Sequence, residues 1–203
     1  MADSNLGAWS PLAPTEVGQT LRQFRRPWWI AGGWALDLFL GRQTREHEDT
    51  DIGVLRRDHV ELQQTLTGWD LQAADPPGTL RAWMPLEELG DSIHDIWCRR
   101  TPKSRWCLQV MLDEANGDDW VYRRDARVRL PLKDMLQVTD SGLPYLRPEV
   151  QLLYKSKDPR TKSQADFASV LPHLGHDRKL WLKASLEVSD PDNGWLRALQ
   201  TLR

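Results

Sequence analysis

Apolar residues at Val17, Leu21 and Phe24 recur at the spacing of one helix face, and Pro27 ends the run, so the pattern predicts a helix over 15–25. Trp28 to Ala31 is continuously apolar but too short for a helix; it predicts a buried strand running into Gly32-Gly33. Residues 35–40 predict a short helix closed by Gly41. Residues 51–55 predict a second strand, after which Asp58 caps a helix reaching Leu66. Further strands are predicted over 69–73, 80–84, 93–98 and 106–112, with Asn116-Gly117 turning the last of these into a hairpin with 120–122.

From residue 131 the pattern changes. Pro148-Glu149 opens a helix carrying Leu152, Leu153 and Tyr154, and two more fit 162–174 and 177–188. The predicted division is a mixed α/β (α+β) domain over 1–130, its sheet flanked by helices, followed by a C-terminal helical region over 131–203.

Composition narrows the setting. A chain of 203 residues with 40% hydrophobic content can bury a sizeable core. No stretch approaches the roughly 18 apolar residues of a membrane span, and the first fourteen residues lack the basic and apolar regions of a secretion signal. Cys98 and Cys107 are too few for a disulfide framework or a zinc site, so a reducing cytoplasm is expected. The net charge of −2 speaks against a general nucleic-acid binder. Eleven Trp residues against three Phe and three Tyr are unusual; indoles serve equally in core packing and in stacking on a base or sugar.

The candidate chemistry lies between Gly32 and Asp51. A strand ending in two glycines at a helix start offers free backbone N–H groups and the positive end of the helix dipole, which suit phosphate. Arg42 and Arg45 follow, with guanidinium groups suited to a triphosphate. Asp49 and Asp51, spaced to share one strand face, supply hard oxygen ligands for Mg²⁺ held jointly with substrate phosphates. Each feature alone has an ordinary reading as a tight turn, solvated arginines or loop acids.

Taken together, Gly-Gly-Trp-Ala-Leu-Asp at 32–37, Gly41-Arg42, Thr44-Arg45 and His47 to Asp51 resemble the nucleotidyltransferase superfamily that includes DNA polymerase beta, and within it the aminoglycoside 2″-adenylyltransferase-like branch. A looser likeness covers Pro144 to Phe167, with Pro148-Glu149, Tyr154-Lys155, Lys162 and Asp166-Phe167. The resemblance implies that Gly32, Gly33, Arg42, Arg45 and Lys155 hold the phosphates of ATP or another nucleoside triphosphate. It further implies that Asp49 and Asp51 bind one or two Mg²⁺ ions, and that a nucleoside monophosphate passes to a hydroxyl of a small molecule, aminoglycoside-like in this branch. Asp37 is placed to brace the cradle or the arginines. The acidic pairs Glu87-Glu88 and Asp118-Asp119 are either solvated turns or part of a pocket for a cationic acceptor.

Such enzymes usually carry a third carboxylate on a later strand, as metal ligand or as base. The matching position in the strand after residue 106 is Gln109, whose neutral amide cannot act as a base. Asp113, on the same strand face but about 13 Å further along, is the expected replacement, with Glu114 and Asp95 as alternatives. A protein or RNA acceptor, as in toxin and antitoxin relatives, is a rival reading; so is a nucleotide-binding protein whose catalytic set has decayed.

Overall fold

The chain is built around two β-strands that reach the site from opposite directions. Its computed structural model describes residues 6–158 and 160–200. In chain order the elements are α1 (Pro14–Thr20), β1 (Trp28–Ile30), α2 (Gly32–Leu40), β2 (Asp51–Leu55), a 3₁₀ turn (Arg56–Asp58), α3 (His59–Thr65), β3 (Asp70–Ala73), β4 (Arg81–Ala82) and β5 (Asp95–Arg99). Then come β6 (Leu108–Asn116), β7 (Asp119–Val121), β8 (Arg129–Pro131), β9 (Leu136–Val138), β10 (Pro144–Leu146), α4 (Pro148–Lys155), α5 (Thr161–Val170), α6 (His176–Ser189) and α7 (Trp195–Gln200).

The strands join in one mixed sheet ordered β4-β3-β5-β6-β2-β1-β10-β9, with β7 and β8 continuing from β6. The β2–β6 and β1–β10 pairs are parallel and the other pairings are antiparallel. Alternation along the strands separates two faces. Ile52, Val54, Ile96, Cys98, Leu108, Val110 and Leu112 are buried in the hydrophobic core, whereas Asp51, Asp95, Gln109 and Met111 project to the other side and are partly exposed.

Local chemistry explains the boundaries. Pro14 occupies the first turn of α1, where its missing N–H is no loss, and Glu16 Oε2 accepts from Ala13 N at 2.7 Å. Gly41 closes α2 in the left-handed region at φ 67°, donating back to carbonyls of the last turn. Pro148 starts α4 as predicted.

Several boundaries differ from the sequence reading: the helix predicted over 15–25 ends at Thr20 and the strand predicted over 80–84 shrinks to Arg81–Ala82, and three further differences bear on the site. The glycine pair forms the first turn of α2, because Gly32 takes φ 65° and joins strand to helix without a separate turn. The strand predicted from residue 106 begins at Leu108; Trp106 and Cys107 pair instead with residues 8–12, through Ser10 N to Trp106 O at 2.8 Å and Leu12 N to Cys107 O at 3.0 Å. The division at residue 130 falls inside the sheet, which continues through β8, β9 and β10. The C-terminal helices start at Pro148, not at 131.

Candidate functional site

Gly32 is the pivot of the site. A Cβ there would stand 2.2 Å from Asp51 Oδ2, so only glycine lets the Asp51 carboxylate lie against the start of α2. Its N–H donates to Gln151 Oε1 of α4 at 2.8 Å, which fixes the helix start against the C-terminal region. Gly33 makes room on the other side, where a Cβ would meet Arg45 Nη2 at 2.4 Å and the His47 ring at 2.5 Å.

The rest of the Gly-Gly-Trp-Ala-x-Asp run holds the loop that leads to the acids. Buried Asp37 accepts from Thr44 Oγ1 at 2.6 Å and from His47 Nε2 at 2.6 Å, and the Trp34 ring lies 4.3 Å from the His47 ring. These contacts fold residues 41–47 back on α2 and direct Asp49 toward Asp51. His47 is thereby a structural donor to Asp37, and Asp37 braces the loop directly.

Asp49 precedes β2 and Asp51 opens it. Burial, then the neighbouring Asp49 charge, push the Asp51 carboxyl up to about 7; Lys155 and Lys162 oppose the rise and Asp95 adds to it. These groups from four parts of the chain therefore share one electrostatic site.

The structure draws Asp95 into that site and leaves Asp113 out of it. Asp51 stands opposite Gln109 in the β2–β6 pairing, and Trp97 of β5 is opposite Gln109 in turn, which places Asp95 diagonally beside Gln109. Gln109 Nε2 donates to Asp95 Oδ1 at 3.2 Å. Asp113 is paired with Leu55 at the far end of β2, where its Oδ1 accepts from Trp120 Nε1 at 3.2 Å and from the Tyr154 hydroxyl. Both contacts tie it into an aromatic cluster of Trp120, Tyr122 and Tyr154. Asp113, expected from the sequence to stand in for the third acid, is thus a packing residue, and Glu114 is held by Arg56 at 2.6 Å.

Of the expected phosphate ligands, Arg45 and Lys155 converge. Both reach Asp166 of α5, with Arg45 Nε at 3.1 Å and Lys155 Nζ at 2.8 Å. Arg42 is separate: exposed, it lines an open groove of about 600 Å³ between α2 and the β9–β10 turn with Trp34, Asp140 and Tyr145. Lys162 and Asp166 were visible in the sequence only as part of the looser likeness. Asp95, offered by the sequence only as an alternative third acid, is singled out by its place near the start of the strand paired beside that of Gln109.

Among the described residues, no three His, Cys, Asp or Glu side chains form a preassembled metal cluster. What the protein offers is a pair of crowded carboxylates whose mutual repulsion a cation would relieve. That suits a hard ion sharing its coordination with phosphate oxygens.

The family profile described as aminoglycoside-2″-adenylyltransferase matches residues 15–75, the span from α1 to just beyond β3, which includes the acid pair. A 2″-aminoglycoside nucleotidyltransferase of Escherichia coli is 36% identical over 72 residues, 34% of this chain and 37% of that protein. One of Klebsiella pneumoniae is 62% identical over 44 residues, 21% of this chain and 25% of that protein. The chain therefore matches little more than a third of the length of these relatives at most. Two solved structures resemble most of the fold. ANT(2″)-Ia in complex with adenylyl-2″-tobramycin has a TM-score of 0.56 at 16% identity, covering 85% of this chain and 95% of that one. The lincomycin-bound lincosamide adenylyltransferase LnuA has a TM-score of 0.54 at 19% identity, covering 77% and 93%. Residues 15–75 thus carry the aminoglycoside 2″-adenylyltransferase signature, on a chain whose fold resembles that of these two solved structures.

Proposed function

We propose that this chain is a nucleotidyltransferase that moves a nucleoside monophosphate, AMP from ATP in the first instance, to a hydroxyl of a small antibiotic-like acceptor. The observation that carries the reading is the convergence of Asp49, Asp51 and Asp95 with Lys155 and Lys162 beside the glycine start of α2. The antibiotics named in the two solved neighbours support the acceptor class.

Asp49 and Asp51 would hold the Mg²⁺ that arrives with the triphosphate. When bound, that ion neutralises charge at the α-phosphate and on the departing pyrophosphate. The Gly32 N–H is already taken by Gln151, so the later first-turn amides of α2, from Gly33 on, would face the phosphates, with Arg45 and Lys155 supplying positive charge. Asp95, oriented by the Gln109 amide, takes the proton of the acceptor hydroxyl as its oxygen bonds to the α-phosphorus and the bond to pyrophosphate breaks. A carboxylate at Asp95 supplies the base that Gln109 cannot, so the neutral residue there is no argument for a decayed enzyme. Two buried free cysteines fit a reducing cytoplasm.

The test measures pyrophosphate release from ATP and Mg²⁺ over a panel of lincosamide and aminoglycoside acceptors, in native protein and in the Asp49→Ala, Asp51→Ala double variant. Acceptor-dependent release that disappears in the double variant is the expected result. Release unchanged by the two substitutions would overturn the proposed site, and absence of ATP binding by calorimetry would overturn the enzyme reading.

A further inference from the structure

The face of the sheet that carries the acids does not end at Asp95. The row that begins at Asp51 continues through Gln109 and Trp97 to Gln72 of β3, each directly opposite the last, while the neighbouring row holds Gly53, Met111 and Asp95. Paired residues on one face lie about 5 Å apart, so Asp95 and the edge of Trp97 border one surface.

Trp97 belongs to a cluster outside the main hydrophobic core. Its ring is 4.9 Å from that of the partly exposed Trp9 and 5.6 Å from that of Trp106, and the Arg99 guanidinium lies 4.1 Å over Trp106. Trp9 is held there because residues 8–12 pair with Trp106 and Cys107, and Thr50, next to the acids, donates to Leu12 O at 2.6 Å. The shelf is thereby tied to the acid loop.

Its charge is low. Asp70, the further carboxylate on this face, is neutralised by Arg99 at 2.6 Å and bonded by Gln72 Nε2 at 2.6 Å. With their NH₂ groups turned to Asp95 and Asp70, Gln109 and Gln72 leave amide oxygens to accept from hydroxyls. The acidic pairs suited to a polycation lie elsewhere. Glu87 is bonded twice by Arg81, at 2.7 and 3.0 Å, and Asp118-Asp119 sit at the β6–β7 turn, about 23 Å along β6 from Gln109 at the strand rise.

Resting on the transferase reading above, we propose that this shelf binds the acceptor, and that the acceptor is a hydroxylated ring of low positive charge. The C–H face of the ring lies on the partly exposed Trp9 indole, which the buried Trp97 ring backs, its hydroxyls donate to Gln109 and Gln72, and one of them reaches Asp95. Among the described residues, the carboxylate of the shelf beyond the reaction centre is Asp70, and Arg99 already neutralises it, so a polyamine-bearing acceptor gains nothing there.

The full chain labelled with 5-fluorotryptophan is titrated with phenyl β-D-glucopyranoside, a neutral ring, and with 2-deoxystreptamine, a dicationic one, in the presence of ATP-γ-S and Mg²⁺; fluorine NMR reads the indoles. Trp9→Phe and Trp97→Phe assign the two resonances. The glucoside is expected to move both saturably while equal 2-deoxystreptamine leaves them in place, and Trp97→Leu is expected to weaken glucoside binding at least fivefold with nucleotide affinity within twofold. A response to the dication, silence toward the glucoside, or unchanged glucoside affinity in Trp97→Leu overturns the shelf. Calorimetry of ATP-γ-S on the same samples keeps the readings apart: nucleotide binding without a glucoside response sinks the shelf alone, and absence of nucleotide binding sinks the transferase reading and the acceptor role with it.

Discussion

Gly32 leaves Asp51 so little clearance that a single methyl group would stand 2.2 Å from the Asp51 carboxylate. The backbone at Gly32 is also left-handed, φ 65°, a conformation that costs a side-chain-bearing residue about 1–3 kcal/mol. Gly32→Ala is therefore expected to lower the melting temperature and to abolish ATP–Mg²⁺ binding, since the acid must move. Gly41→Ala is the control. Its φ is a similar 67°, but nothing lies within 4 Å of its Cβ position, so it should lose stability and keep nucleotide binding. Equal effects of the two substitutions on binding would show that the close approach to Asp51 has no functional weight.

Asp95 and Asp113 separate the reactive acid from the packing acid. Asp95→Asn leaves Gln109 a partner but removes the proton acceptor, so turnover is expected to fall about 10²- to 10⁴-fold with ATP affinity retained. Asp113→Asn keeps an oxygen to accept from Trp120 and Tyr154, and turnover should stay within about tenfold, the penalty ordinary for a packing change. Steady-state pyrophosphate release decides between them; the opposite ranking would restore Asp113 to the site.

How much of this was legible in the chain depended on how far apart the partners lie. The core strands around β1 and β2 and the Gly41 stop of α2 are local patterns, and they read correctly from residue spacing. Asp95 entered the sequence reading only as an alternative third carboxylate, because its nearness to Asp51 depends on the registers of two strand pairs, Asp51 with Gln109 and Trp97 with Gln109. Asp113 shares a strand face with Gln109, which periodicity reveals, but periodicity says nothing of the Tyr154 hydroxyl that arrives from α4. Strands β8, β9 and β10 have three residues each and are flanked or entered by Pro131, Gly142 and Pro144, too short to show alternation. The pairing of residues 8–12 with Trp106 carries no local signal.

Asp166 joins two cations from different elements, Arg45 from the loop before β2 and Lys155 from the end of α4. Their opposing charges hold the Asp166 carboxyl below the usual range even though burial acts to raise it. Removing one partner of a buried ion pair costs about 3–5 kcal/mol because it strands the other charge. Asp166→Ala is expected to lower stability and to raise the KM for ATP about tenfold or more, the two cations losing the anchor that aims them. Asp166→Asn keeps one acceptor oxygen, enough for Arg45 on Oδ1 or Lys155 on Oδ2 but not for both, so it should recover only part of the KM. Tighter ATP binding in Asp166→Ala would instead mean that the carboxylate competes with phosphate.

Asp113 also sets a pH dependence with a definite sign. Burial raises its carboxyl from 3.8 to about 6, against the opposing hydrogen bonds of Tyr154 and Trp120 and the charge of Arg123. Between about pH 4 and pH 6 the folded chain therefore keeps a proton that the unfolded chain has released, and stability falls as pH rises through this window. Above about pH 6 both states are ionised and this group adds no further slope. A gap of about two units corresponds to at most about 3 kcal/mol. Asp113→Asn cannot ionise but preserves the acceptor oxygen, so its unfolding free energy should lack this component. Urea unfolding at pH 4.5 and pH 7.5 measures it. The native chain should lose more stability than the variant between the two pH values, and other titrating groups cancel in the comparison. Parallel behaviour of the two proteins would show that Asp113 titrates as an ordinary carboxylate despite its burial.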